Sequence, residues 1–211
     1  MALTPQRPTR LGILGGTFDP IHIAHLIIAE EARFFCHLDR VLFVPARISP
    51  LKVQGGTLFT PEERYEMARL ATADHPYFEV SRLELDREGP SYTVDTLRLL
   101  REAHGPETDL FFIMGMDSLL TLPHWVRPQE IVRLARLIVI SRPGYRPDLE
   151  ALEHQVPGVR QATEMLLSLE IGISSTELRR RIRQGLPIRY QVPAAVEAFI
   201  HARYPLREPA V

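Results

Sequence analysis

The chain has 211 residues, of which 45% are hydrophobic, and its formal net charge at pH 7 is −1. This length and composition predict a single domain over residues 1–211, with short polar ends and a core over about residues 10–204. The nearly neutral charge argues against nucleic acid or an anionic membrane as a partner, so any anion site must be local.

A single cysteine, Cys36, excludes an internal disulfide, and its apolar helical context predicts a buried structural thiol. The first ten residues are polar and rich in proline, so they lack the apolar centre of a signal peptide. No apolar run approaches the length that spans a membrane. We therefore expect a soluble cytoplasmic protein.

Strand and helix patterns alternate along the chain. In chain order, the predicted elements are strand 11–14, helix 21–37, strand 41–44, a loop over 45–59, a helix from Thr60, strand 78–83, helix 93–103, strands 110–114 and 137–140 with short helices between them, helix 174–185 and helix 193–203. Thr60 is predicted to cap its helix, with Pro61 in the first turn and Glu63 closing a capping box. The alternation predicts an α/β protein with a doubly wound parallel sheet, which binds ligands beyond the carboxyl ends of its strands.

The turn after the first strand carries an unusual set of residues, Gly15-Gly16-Thr17-Phe18-Asp19-Pro20-Ile21-His22-Ile23-Ala24-His25. Two glycines allow a sharp turn and close approach to a ligand. Asp19 before Pro20 predicts the start of a helix, whose free N–H groups can hold phosphate. His22 and His25 are three residues apart and share a helix face. Each feature alone has an ordinary structural explanation, but together they predict an anion site.

Three other types of site fit this turn poorly. The glycine spacing does not match the dinucleotide fingerprint G-x-G-x-x-G, and no lysine follows to complete a phosphate loop. Zinc would need at least one ligand besides the two histidines, and no His-Glu-x-x-His pattern is present. We therefore predict no protein ligand for a metal.

A second group of residues, Ile173-Ser174-Ser175-Thr176-Glu177-Leu178-Arg179, opens a late helix. One interpretation is structural, because Ser174 and Glu177 fit a capping box. The other is functional, because a helix N-terminus with hydroxyls and one arginine can bind phosphate. The residues alone leave both interpretations open.

The two groups together resemble a known family. GGTFDPIHIAHL resembles the G-x-F-D-x-x-H-x-G-H signature of the nucleotidylyltransferase superfamily, and ISSTELR resembles its I-S-S-T-x-x-R motif. The GGTFDP form with both histidines is most similar to bacterial nicotinate-nucleotide adenylyltransferases. The resemblance implies a Rossmann-like nucleotidylyltransferase fold. Two departures are Ala24, where relatives usually have glycine, and Val126, where they often have tyrosine.

The resemblance also implies roles for individual residues. The implied catalytic residues are His22, His25, Lys52 and Arg179. The implied nucleotide-binding residues are Gly15, Gly16, Thr17, Phe18, Asp19, Gly115, Asp117, Ile173, Ser174, Ser175 and Thr176. The implied acceptor-binding residues are Ser91, Tyr92, Thr93, Trp125 and Arg142.

The implied reaction transfers AMP from ATP to nicotinate mononucleotide, giving deamido-NAD and pyrophosphate in NAD biosynthesis. It would proceed by in-line attack without a covalent intermediate, with Mg²⁺ held by the substrate phosphates. Two alternatives stay open: a sister enzyme that uses nicotinamide mononucleotide, phosphopantetheine or a CDP-transfer substrate, and a non-catalytic nucleotide sensor. The sequence gives no prediction of the oligomeric state.

Overall fold

The computed structural model describes residues 9–50, 56–141, 147–169 and 171–207. In these residues six strands form one parallel sheet in the order β3-β2-β1-β4-β5-β6. The strands are β1 (Arg10–Gly16), β2 (Arg40–Pro45), β3 (Phe78–Val80), β4 (Asp109–Gly115), β5 (Arg136–Ser141) and β6 (Thr163–Leu167). The order runs outward in both directions from β1 and β4, which confirms the predicted doubly wound sheet.

Helices cover both faces of the sheet. They are α1 (Ile23–Phe35), α2 (Pro61–Thr72), α3 (Thr93–His104), α4 (Met116–Thr121), α5 (Pro128–Leu134), α6 (Leu149–Gln155), α7 (Val159–Ala162), α8 (Ser175–Arg183) and α9 (Ala194–His201). A 3₁₀ turn over Leu122–His124 follows α4. No helix in the described parts of the chain is long and apolar enough to cross a membrane.

After a charged first residue, the central strands β1, β2 and β4 are apolar, as expected for a sheet that is covered on both faces. Alternate residues of a strand point to opposite faces, so the core divides into two clusters. Phe43 and Ile113 belong to the cluster beneath α1, α2, α8 and α9. Ile13 and Phe112, which are register partners, belong to the cluster on the other face, with α3 and α5. The site at the strand ends therefore rests on a core that is packed from both sides.

The start of α2 follows the sequence prediction. The Thr60 hydroxyl accepts from the Glu63 N–H at 3.3 Å, and the Glu63 carboxylate accepts from the Thr60 N–H at 2.8 Å. The helix begins at Pro61, which needs no donor there. Cys36 is also buried as predicted, and burial raises the pKa of its thiol to about 12, so it is protonated at neutral pH.

Several elements differ from the prediction, and helices α6 and α7, between β5 and β6, were not predicted. Strand β3 ends at Val80 rather than at residue 83, because the chain enters a turn at Leu83. Helix α1 is shorter than 21–37 and ends at Phe35, because His37 has a left-handed φ of 51°. Strand β6 was not predicted at all. It is an edge strand whose apolar run, Met165 to Leu167, is too short to distinguish a strand from another element by sequence.

Candidate active site

A cavity of about 520 Å³ opens at the carboxyl ends of β1 and β4. Its lining includes the glycines that end these two strands, Gly15, Gly16 and Gly115, and Ser175 at the start of α8. The strand order reverses between β1 and β4, and ligands bind at such a point in open α/β sheets. The cavity thus meets the expectation that functional residues follow the strands.

The first-motif loop, residues 15–20, turns tightly around one aromatic ring. Phe18 is 2% exposed and has a left-handed φ of 48°. A Cβ at Gly16 would lie 3.0 Å from the Phe18 ring, so a side chain here would press on that ring. Thr17 and Phe18 both line the cavity, and the Phe18 ring meets the His25 ring edge-on at 5.0 Å.

Asp19 does not start a helix, so this part of the sequence prediction is wrong. Its carboxylate, 1% exposed, accepts the backbone N–H groups of Leu58 and Phe59, each at 3.0 Å. The Asp19 side chain is therefore hydrogen-bonded to the loop before α2 and cannot cap α1. The helix instead begins at Ile23 with His22 as the N-cap residue, and the Asp19–Pro20 peptide bond is cis.

His22 and His25 share a face, as predicted, and their rings stack with centroids 3.7 Å apart. The His22 backbone N–H donates to Nδ1 of His25 at 3.1 Å. His25 lines the cavity, while His22 is 5% exposed and is not among the residues that line it. Burial lowers the pKa of His22 from 6.5 to about 4, so the ring is neutral at pH 7.

The second motif, residues 173–179, packs directly on the first-motif loop. The Ser175 hydroxyl donates to the Pro20 carbonyl at 3.0 Å. Nη1 of Arg179 donates to the Asp19 carbonyl at 3.0 Å and lies 3.6 Å from Oδ2 of Asp19. Nη2 of Arg179 donates to the Thr176 hydroxyl at 3.1 Å. The fold therefore joins two motifs that are about 155 residues apart in sequence.

Only half of the predicted capping box forms at α8. The Ser174 hydroxyl accepts from the Glu177 N–H at 3.2 Å. The Glu177 carboxylate does not return to Ser174, because it is bound by the Arg180 guanidinium at 2.6 and 2.8 Å. Ile173 is partly buried against the core, so the first two residues of the motif have clear structural contacts.

Several predicted acceptor residues belong to the lining of the same cavity. Ser91, Tyr92, Thr93 and Trp125 all line it. The Trp125 ring meets the Phe112 ring edge-on at 6.1 Å, which fixes its position. Val126 also lines the cavity and is 38% exposed, so the departure from tyrosine leaves this edge open.

Other predicted residues lie apart from the cavity. Asp117 is exposed in the first turn of α4 and does not line the cavity. Ala24, the departure in the first motif, is 5% exposed and likewise does not line it. Its methyl group therefore affects helix packing rather than the ligand space. Lys52 and Arg142 lie outside the described residues.

Two buried charged residues at the site were missed in the sequence. Arg64 in α2 is 1% exposed, and it donates to the carbonyls of Thr17 at 2.6 Å and Arg47 at 3.2 Å. Glu84, after β3, is 6% exposed and lines the cavity. Charged residues are usually solvated, so nothing in the local pattern marks these two as buried.

Among the residues that the structure describes, no group of three or more His, Cys, Asp or Glu side chains could hold a metal ion. Mg²⁺ fits this arrangement, because it commonly retains waters and is bound through substrate phosphates.

Comparison with known proteins agrees with the site. A family model described as cytidylyltransferase-like matches residues 13–181. The chain is 52% identical over 192 residues to a probable nicotinate-nucleotide adenylyltransferase of a Roseiflexus species, with 91% of this chain and 95% of the relative covered. It is 48% identical over 191 residues to a probable nicotinate-nucleotide adenylyltransferase of Thermus thermophilus, with 90% of this chain and 96% of the relative covered.

A solved structure shares the fold. It is the Plasmodium falciparum nicotinic acid mononucleotide adenylyltransferase complexed with NaAD, with a TM-score of 0.73 and 20% identity over 94% of this chain and 98% of that one. From the family model and the extent of identity to the curated relatives, the chain belongs to the cytidylyltransferase-like family, among the nicotinate-nucleotide adenylyltransferases.

Proposed function

We propose that the protein transfers AMP from ATP to nicotinate mononucleotide, releases pyrophosphate and forms deamido-NAD for NAD biosynthesis in the cytoplasm. The observation that carries the proposal is a single cavity lined by the first-motif loop, by Ser175 of the second motif and by four of the predicted acceptor residues. The curated relatives are named for this activity, and they align with nearly the whole chain.

We assign ATP to the part of the cavity formed by the first-motif loop and α8. The glycine backbone at Gly15 and Gly16 permits close approach. A helix N-terminus presents N–H groups that can hold phosphate, and in α8 the Ser174 hydroxyl accepts the N–H group of Glu177. His25 would donate to the α-phosphate, where negative charge develops in the transition state. His22 would orient His25 through ring stacking and the N–H bond to Nδ1.

We assign the cationic contacts with the β- and γ-phosphates to Lys52 and Arg179. Arg179 also contacts the first-motif loop, because its guanidinium donates a hydrogen bond to the Asp19 carbonyl. Its side chain is 15% exposed, so its charge reaches ligands without full screening by water. Asp117 lies beyond the end of β4, where a carboxylate can accept from ribose hydroxyls.

We assign nicotinate mononucleotide to the part of the cavity lined by Tyr92, Thr93 and Trp125, and the family resemblance adds Arg142 as an acceptor-binding residue. The indole offers a flat surface for the pyridine ring. Backbone N–H groups can bind the ring carboxylate, which the nicotinamide form lacks, and a backbone contact at Val126 would tolerate the departure from tyrosine. These contacts favour nicotinate over nicotinamide mononucleotide as the acceptor.

The chemistry needs no general base. The acceptor phosphate has a second pKa near ~6, so it is largely ionised at neutral pH and attacks the α-phosphorus directly. Catalysis then consists of positioning and charge stabilisation. Mg²⁺, bound through the phosphates and water, would neutralise the charge of the departing pyrophosphate.

The test is pyrophosphate release from ATP and Mg²⁺ with nicotinate mononucleotide, nicotinamide mononucleotide or phosphopantetheine offered separately. We expect release with nicotinate mononucleotide, and about 100-fold slower turnover in a folded His25→Asn variant, as for loss of one transition-state donor. Release with only another acceptor would replace the acceptor assignment. ATP binding without turnover of any acceptor would instead indicate a nucleotide sensor.

A further inference from the structure

A buried carboxylate lies in the wall of the cavity. Glu84 follows β3, is 6% exposed and lines the cavity, yet none of the salt bridges among the described residues includes it. Its carboxylate accepts the Thr96 hydroxyl at 2.5 Å and is also hydrogen-bonded by the Ser91 hydroxyl. Burial raises the pKa of Glu84, while these two hydroxyls act in the opposite direction.

The hydrogen bonds of Glu84 continue into the loop after β2. The Ser91 oxygen accepts the Arg47 backbone N–H at 3.1 Å, and the Ser91 N–H donates to the Ile48 carbonyl at 2.9 Å. Ser91 therefore accepts from this loop, and as a hydrogen-bond donor its hydroxyl acts to lower the pKa of Glu84. Through Ser91 and Thr96, one carboxylate connects the turn after β3, the start of α3 and the loop after β2.

Stability alone does not explain this arrangement. Removing a carboxylate from water costs several kcal/mol, and a well-packed apolar residue is often at least as stable in the same position. The hydrogen bonds of Glu84 instead define where Ser91 lies, and Ser91 is followed directly by Tyr92 and Thr93 in the cavity wall. The part of the cavity assigned to ATP is built from other elements, the first-motif loop and α8.

We propose that Glu84 is a positioning residue for the acceptor: its carboxylate fixes the turn over residues 91–93 so that this wall matches the acceptor nucleotide. This rests on the proposed function for the identity of the acceptor. Loss of the carboxylate therefore weakens acceptor binding and leaves ATP binding nearly unchanged.

The experiment measures KM for nicotinate mononucleotide, KM for ATP, kcat and the thermal midpoint. Glu84→Ala is expected to raise the acceptor KM at least about tenfold, as for loss of hydrogen bonds to a buried charged group, with the ATP KM changed less than about twofold. Glu84→Gln keeps a hydrogen-bonding oxygen and is expected to stay within about threefold of wild type. The matched control is Glu88→Ala, which removes an exposed carboxylate from the same segment.

Three outcomes would overturn the proposal. They are an unchanged acceptor KM in folded Glu84→Ala, an equal rise of the acceptor KM and the ATP KM in that variant, and an acceptor KM in Glu84→Gln as high as in Glu84→Ala. If Glu84→Ala does not fold, Thr96→Val decides, because it removes the donor at 2.5 Å and keeps the side-chain shape. It should raise the acceptor KM about threefold, and an unchanged value would reject the proposal.

The wild-type protein in the same assay tests the proposed function separately. If it turns over only another acceptor, the acceptor assignment fails, and the same variants are compared with the acceptor that is used. If it turns over none, the enzymatic proposal fails, and calorimetric binding of nicotinate mononucleotide to wild type and Thr96→Val decides the role of Glu84.

Discussion

His22 acts as a neutral group in this fold, although histidine can carry charge near pH 7. Its ring is buried behind His25, and burial lowers its pKa to about 4. It therefore supplies hydrogen bonding and packing rather than positive charge. Positive charge for a pyrophosphate leaving group is therefore not supplied by His22.

The lowered pKa of His22 predicts acid-sensitive stability. The unfolded chain binds the proton near pH 6.5, whereas the folded chain resists it until about pH 4. The contribution of His22 to the free energy of unfolding is therefore fully present above pH 6.5. It is lost as the pH falls towards 4, and the loss is about 3 kcal/mol. Urea unfolding at pH 7.5 and 4.5 should show a clearly smaller loss in His22→Asn than in wild type. Equal losses would mean that His22 is not protected from protonation.

The Asp19 carboxylate predicts a second residue-scale effect. It accepts two backbone N–H groups and lies beside Arg179, so Asp19→Ala leaves these groups unpaired. We expect a loss of about 3 kcal/mol in the free energy of unfolding, measured by urea denaturation. Asp74→Ala, which removes an exposed carboxylate, is the control and should be neutral. A near-neutral Asp19→Ala would show that the network contributes little.

At the scale of elements, the two adjacent serines at the start of α8 make different contacts. Ser174 caps the helix, whereas Ser175 lines the cavity and holds the Pro20 carbonyl. Ser174→Ala should lower stability by about 1 kcal/mol with little change in ATP affinity. Ser175→Ala should mainly raise the ATP KM. Reversal of the two effects, measured by thermal unfolding and kinetics, would contradict this division.

Element predictions succeed where one local signal decides the structure. Thr60, Pro61 and Glu63 carry the complete start of α2, and all three act as predicted. The start of α1 fails because Asp19 is used by residues about 40 positions away, which no local pattern indicates. The capping box at Ser174 is incomplete because an arginine three residues beyond Glu177 binds the carboxylate.

For the molecule as a whole, alternation of strands and helices predicts the fold class and the end of the sheet that binds ligand. It does not predict that β1 lies beside β4, because strand order depends on long-range packing. The two motifs were identified by resemblance, and the fold brings them together. Arg64 and Glu84 complete the site from elements whose sequences carry no signal of burial.

Both core clusters share one sheet, so we propose a single cooperative domain. Phe43→Ala in one cluster and Leu97→Ala in the other should each cost about 2–5 kcal/mol and lower the midpoint of the same transition. Differential scanning calorimetry should give one peak with equal calorimetric and van't Hoff enthalpies. Two separable peaks, each sensitive to one variant, would reject a single domain.

The first-motif loop is held by side chains from other parts of the fold. The carbonyls of Thr17, Asp19 and Pro20 accept hydrogen bonds from Arg64, Arg179 and Ser175, respectively. The conformational entropy of this backbone is therefore lost during folding and not when a ligand arrives. Because no rearrangement of this loop must precede contact, association of ATP with this part of the cavity should be limited by diffusion and orientation.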